Sequence, residues 1–185
     1  MSSLVRRLRQ IIRYIDNLTE VTGKLVSWLA LAMMVVTCLV VFLRYVLESS
    51  SIAVNESITY FHATLFMLGI AFTLKHGGHV RVDIFYRGFS ARTQSWVDLL
   101  GGLLFLIPLS LLILILSWDY VAASWAIRES SKESQGLPWV YLLKTLLLIM
   151  PVSLLLQGIA EVLRNTLNLA GYDDHSEFQY DENVL

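Results

Sequence analysis

Charge is nearly missing from four stretches of this 185-residue sequence, 25–43, 57–74, 99–118 and 137–160, which together hold a single charged side chain, Lys144. No Asp or Glu lies inside any of them, which argues against an exporter that carries protons on a carboxylate in the membrane. Cysteine is down to one residue, Cys38, so an intrachain disulfide is excluded and no redox compartment is indicated. Histidine occurs once inside a stretch, at His62. Proline is held to three positions, and two of them, Pro108 and Pro151, fall where they bend an apolar helix without marking a site.

What is present is apolar length. Hydrophobic residues make up 56% of the chain and charged residues 16%, and a soluble domain built from these stretches would leave too much apolar surface in water. At roughly 1.5 Å per residue each stretch is about 27 to 36 Å long as a helix, against about 30 Å for a hydrocarbon core. Helices satisfy their backbone groups internally, as lipid requires. The expected fold is therefore all-α and integral to a membrane, with spans at about 25–46, 56–75, 96–118 and 137–161.

The basic residues give the expected orientation. Arg6, Arg7, Arg9, Arg13 and Lys24 precede the first span, Lys75, Arg81, Arg87 and Arg92 lie between the second and third, and Arg164 follows the fourth. Fewer cations, with Glu48, Glu56, Asp119, Glu129 and Glu133, fall on the other side. Positive charge in short loops marks the cytoplasmic face, so both termini are expected there. Trp28 and Trp96 at one boundary, and Trp118 and Trp139 at the other, suit the two interfaces.

Residues 1–24 have helical periodicity, with Leu4, Leu8, Ile11, Ile15 and Leu18 on one side and Arg6, Arg9 and Arg13 largely on the other. They read as a basic amphipathic helix in the inner interface, against membrane lipids, or as a helix packed on a partner. A cleaved signal peptide fits less well, because the apolar run is long and Arg44 precedes the only loose cleavage match. His76 and His79 invite a metal reading, but Gly77 and Gly78 break the helix that would align them, so this segment is expected to be a turn ending the second helix. Val80 to Phe89 reads as a connector at headgroup level, and Ser90 as the cap of the third helix. Residues 166–185 form an acidic tail expected to be disordered.

Glu56 opening the second span, Gly69 within it, the run His79-Val80-Arg81-Val82-Asp83, a basic stretch ending near Arg92, and Leu137-Pro138-Trp139 with Tyr141 resemble the small membrane subunit of the tripartite ATP-independent periplasmic (TRAP) transporters. The resemblance spans roughly residues 10 to 165. It implies a non-enzymatic subunit in a bacterial inner membrane, without a cofactor of its own. A periplasmic solute-binding protein would deliver an organic anion to a large membrane subunit, which would bind sodium ions and carry the solute, and the small subunit would brace it. No nucleic-acid partner is expected.

The sequence itself fits a brace. A transport path needs ionisable groups or broken helices near the bilayer midplane, and here only His62, Lys144, Gln157 and the two prolines lie at depth. Lys144 is expected to reach the outer surface or a carboxylate, and His62 to hydrogen-bond across helices. Arg44 and Glu56 can pair across the short outer connection or meet the large subunit, although the helix dipole alone favours a Glu at that position. Arg44, Glu56, His79, Arg81, Asp83 and Lys144 are the candidates for contacts with the partner or for structural roles. The competing class is a haem or quinone anchor of a respiratory dehydrogenase, which calls for axial histidines at depth on separate helices.

Overall fold

A computed structural model describes residues 3–78, 86 and 88–172. Among them every regular element is helical: α1 (Ser3–Val46), α2 (Ile52–Lys75), α3 (Ala91–Gly101), a π-helical turn (Gly102–Leu106), α4 (Ile107–Ala126) and α5 (Val140–Leu169). With α3, the π turn and α4 counted as one rod, four helical stretches of the described chain are long and apolar enough to cross a membrane. The Arg9 guanidinium donates to the carbonyl of Tyr172 at 2.8 Å, so the two ends of the described chain meet at one end of the bundle, the termini end.

The leader and the first span are one unbroken helix of 44 residues, about 66 Å at 1.5 Å per residue. No proline interrupts it, and Gly23 is buried rather than at a kink. That length is about twice a hydrocarbon core, so the leader projects past the core at the termini end. Its apolar face is divided. Val5 and Ile12 pack with Leu8, Leu163 and Leu167, whereas Leu4, Ile11 and Leu18 are exposed. One flank of the stripe is thus covered by α5 of the same chain.

α5 is the centre of the bundle, packing against α1, α2, α3 and α4. A third of its most apolar window is buried, against 6% in each of the other three rods. It runs to Leu169, past residue 166 where the tail was expected to begin. Small residues allow the close approaches. An added Cβ at Gly158 would lie 2.6 Å from Leu106 Cδ2, and one at Gly23 would lie 2.2 to 2.7 Å from the ring and Cβ of Phe72. Both glycines are seats for a neighbouring side chain.

Local chemistry sets the helix ends. α2 closes in a Schellman turn: Gly77 has φ of 63°, its N–H donates to Leu74 O, and the Gly78 N–H donates to Thr73 O at 2.9 Å. A left-handed residue after the last turn is where glycine is favoured, so Gly77-Gly78 is a helix stop. The Ser90 hydroxyl accepts from the Thr93 N–H at 3.3 Å and starts α3. The π turn precedes Pro108, which cannot donate to the preceding turn, and the Ile107 N–H reaches back five residues to Gly102 O. His79, Arg81 and Asp83, most of the connector, and the tail from 173 onward lie outside the described residues.

Candidate functional site

The charged pairs of the bundle gather at its two ends. At the termini end, two carboxylates of the basic leader reach across to the other helices. Asp16 pairs with Arg164 through Oδ2 at 2.7 Å and accepts from Gln157 Nε2 through Oδ1 at 3.0 Å. Gln157, on α5, is fully buried, and its Oε1 accepts from the Thr19 hydroxyl at 2.8 Å. Each half of the amide therefore has a partner on α1, as a buried amide requires. Arg164 also binds Glu161, one turn before it.

One turn along α1, Glu20 meets Lys75 at 2.7 Å and Lys24 at 3.0 Å. The Lys75 ammonium donates as well to the Asp16 carbonyl, at 3.2 Å. His76, the last residue of the α2 turn, stacks on Phe72 with ring centroids 4.2 Å apart and lies 3.4 Å from Glu20. α1 is thus tied to both α2 and α5 by charge-assisted contacts that use both of its carboxylates.

At the far end Glu56 sits on the first turns of α2 and binds the loop before α5. Its Oε1 accepts from the Ser131 hydroxyl, and its Oε2 accepts from the Leu137 N–H at 2.7 Å. Ser131 and Leu137 are joined to each other by a backbone bond of 3.0 Å, so the carboxylate closes a small ring of loop. Gly136 completes it: a Cβ there would lie 2.3 Å from Ser131 Oγ and 2.8 Å from Glu56 Oε1. A side chain at 136 would displace both.

Lys144 is the charged residue at depth, and its ammonium turns to Glu129 in the same loop. It also lies 4.0 Å from the centroid of the Tyr120 ring, a cation–π contact. Glu129 accepts in addition from the Ser124 hydroxyl at 2.7 Å. The hydrogen bond from Lys144, then that from Ser124, hold the Glu129 carboxyl below its ordinary value, against the opposing effect of partial burial. Beside this pair Trp125 donates its indole N–H to Thr145 at 2.9 Å and meets the Tyr141 ring edge-on.

Of the six candidates read from the sequence, Glu56 and Lys144 fall in this far-end constellation, three lie outside the described residues, and Arg44 is exposed near the end of α1. The pair Arg44–Glu56 does not form among the described residues; loop 131–137 instead donates to both carboxylate oxygens. Asp16, Glu20 and Glu129 were not singled out as pairing residues. The available signal was two acidic residues four apart in a leader otherwise dominated by arginine, on the same helix face.

These groups join helices, and they do not line a passage. The groove between α1, α2 and α5, about 210 Å³, is walled mainly by Leu18, Leu68, Ala71, Ile149, Val152 and Leu156. Its hydroxyls are engaged: Thr19 by Gln157, Thr22 by Leu18 O and Ser153 by Met150 O. Nothing in that wall would hold an anion. Among the described residues no cluster of three or more His, Cys, Asp or Glu could hold a metal ion.

Four helices long and apolar enough to cross a membrane, with polar links at both ends, define a multi-pass membrane protein. Residues 33–168 match the family model of the tripartite ATP-independent periplasmic transporters, DctQ component. The match covers most of the chain, and the chain belongs to that family, the small membrane component of TRAP transporters. No curated protein and no solved structure matches it significantly. Membership in a family of transporter components displaces the respiratory anchor reading. Of the two described histidines, His62 is exposed on α2 and His76 is held in the turn after it.

Proposed function

We propose that this chain is a non-catalytic brace for the large, sodium-coupled membrane subunit of a TRAP transporter, in a system that takes up an organic anion delivered by a periplasmic binding protein. One observation carries the reading. The charged groups paired at the two ends of the bundle are spent on contacts within this chain, and the groove between α1, α2 and α5 is walled mainly by apolar side chains. A carrier needs free polar groups or broken helix ends at the midplane to replace the hydration of ion and solute. Here the sodium ions and the solute belong to the large subunit, and this chain holds no cofactor. The termini end faces the cytoplasm and the Glu56 end faces the periplasm, across a bacterial inner membrane; the arginines of the leader support that orientation.

Reconstitution tests the reading. Liposomes holding only this chain should show no solute uptake under a sodium gradient, and adding the large subunit and the binding protein should restore it. Sodium-dependent uptake by the chain alone would overturn the proposal. His79 and Asp83 are proposed to matter for assembly directly and Glu56 through the loop it holds, with Arg44 and Arg81 as further candidates. Alanine at all three should weaken co-purification with the large subunit, and an unchanged yield would remove that assignment.

A further inference from the structure

The outward face of α2 differs from those of the other rods. Asn55, Thr59, His62 and Phe66 are all exposed, and successive steps of four, three and four residues place them in one stripe, which Gly69 and Thr73 continue. From Asn55 to Thr73 the stripe is about 27 Å long, close to the thickness of a hydrocarbon core. His62 lies about 15 Å from the start of α2, near its middle. The side chains of Asn55, Thr59 and His62 have no hydrogen-bond partner among the described residues, and His62 only stacks in parallel on Phe66, with centroids 6.4 Å apart. By contrast the exposed faces of α1 and α4 show residues such as Val35, Phe42, Leu112 and Ile115, and the exposed Thr37 of α1 returns its hydroxyl to Met33 O. α2 is also the least apolar of the four rods.

Lipid tails offer an imidazole or a hydroxyl no partner, whereas a neighbouring helix does, and small residues let two helices come close. Gly69 shows that the approach is not internal: a Cβ added there meets nothing within 4 Å. We infer that the Asn55–Thr59–His62–Phe66–Gly69 face of α2 is the docking surface for a transmembrane helix of the large membrane subunit, with His62 and Thr59 hydrogen-bonded to polar groups on it. The inference rests on the proposed bracing role and adds the face that performs it. A second copy of this chain fits the face less well. Two α2 helices related by a two-fold axis along the membrane normal would set the bulky Phe66 rings against each other, whereas a ring beside an open glycine suits a complementary, non-identical surface.

The test uses the full chain co-expressed with the large subunit of the same transporter. A photo-crosslinking benzoylphenylalanine is placed singly at positions 59, 62, 66 and 69 on α2, with positions 35 and 42 on α1 and 112 and 115 on α4 as controls. Cross-links to the large subunit from the α2 positions, with little or none from the controls, are expected. Cross-links only from α1 or α4 would overturn the face and leave the bracing role standing. A cross-linked dimer of this chain from the α2 positions would overturn the occupant. Failure of the unmodified chain to co-purify with the large subunit would overturn the bracing role, and the inference with it. The double variant Thr59→Leu/His62→Leu is a second arm. It makes the span more apolar, so insertion is not impaired, and it should lose several-fold in co-purified large subunit; an unchanged yield would contradict the inference.

Discussion

Replacing Gly23 by alanine tests the helix packing through the sign of its effect. In an open helix interior, Gly→Ala is stabilising by about 0.5 to 1 kcal/mol, because glycine has more backbone freedom to lose on folding. At Gly23 the new methyl would stand 2.2 Å from Phe72 Cδ2, 2.4 Å from Cγ and 2.7 Å from Cβ. Carbon atoms rest at about 3.5 to 4.0 Å, and because the clash reaches the Phe72 Cβ, rotation of the ring alone does not relieve it. The helices must part by about an ångström. Phe72 is three residues before Lys75 and Gly23 three after Glu20, so that separation also stretches the 2.7 Å Lys75–Glu20 contact.

Overpacking of this kind costs about 1 to 3 kcal/mol against that helix gain, so a net loss of about 1 kcal/mol, and at most about 2.5, is expected. In a chain of this size each kcal/mol lowers Tm by about 2 to 4 °C. The assay is thermal unfolding of the purified chain in one mild detergent, with Gly69→Ala as the control, since a Cβ at Gly69 meets open space. Gly69→Ala should leave Tm unchanged or raise it, and Gly23→Ala should lower it. Adding Phe72→Ala to Gly23→Ala should recover part of the loss, a coupling that a double-mutant cycle reads directly. A Gly23→Ala Tm at or above that of the unmodified chain would refute the α1–α2 contact.

Gln157→Leu should lower stability by about 1 kcal/mol, the order measured for polar contacts between membrane helices, because the Thr19 hydroxyl and one Asp16 oxygen lose their partner; the same thermal assay measures it, and no change in Tm would mean that the buried amide is not engaged. Gly136→Ala and Glu56→Gln should each free loop 131–137, seen as faster proteolysis or hydrogen exchange there, and the double variant should be little worse than either alone. Additive effects would show that Gly136 is not part of the Glu56 ring. The Glu129 carboxyl has a depressed pKa in the folded chain, so its contribution to stability is complete above the usual carboxylate value of 4.5 and is lost as the pH falls below it. Tm should therefore fall more steeply between neutral and acid pH in the unmodified chain than in Glu129→Gln, and equal slopes would contradict the Lys144–Glu129 pair.

Much of the fold was legible because membrane spans are written in local composition: Leu, Ile, Val and Phe without charge define the rods wherever the partners lie. Helix ends were legible for the same reason, since Gly77-Gly78 and Ser90 act within one turn of themselves. Polar partners were not. Asp16 reaches Arg164 and Gln157 across 148 and 141 residues, and Glu56 reaches Ser131 and Leu137 across 75 and 81. The helix dipole explains a glutamate at the start of α2 and says nothing of a loop it could bind. The continuity of α1 had a signal that the amphipathic pattern obscured: no helix breaker follows Gly23 before the end of the span. Gly158 was recognisable as a small surface, but only the π turn that brings Leu106 onto it decides that the surface serves this chain, whereas no other side chain of the described residues packs over the Cβ position of Gly69.

The placement of the charged pairs bears on the proposed brace. Alternating access requires one set of helices to rock or slide against another, so its contacts must have a second arrangement of similar free energy. α5 is held to α1 at one end by Arg164–Asp16 and Gln157–Asp16, and to the Glu129 loop at the other by Lys144. A slide of α5 by one turn, about 5.4 Å, would break both ends at once and move Gly158 off Leu106. The carboxylate one turn away on α1, Glu20, is already occupied by Lys75 and Lys24 and is not open to Arg164. A central helix fixed at both ends, surrounded by rods whose outer faces are apolar except for one polar face on α2, resists the motion a carrier needs, which is what the proposed brace requires.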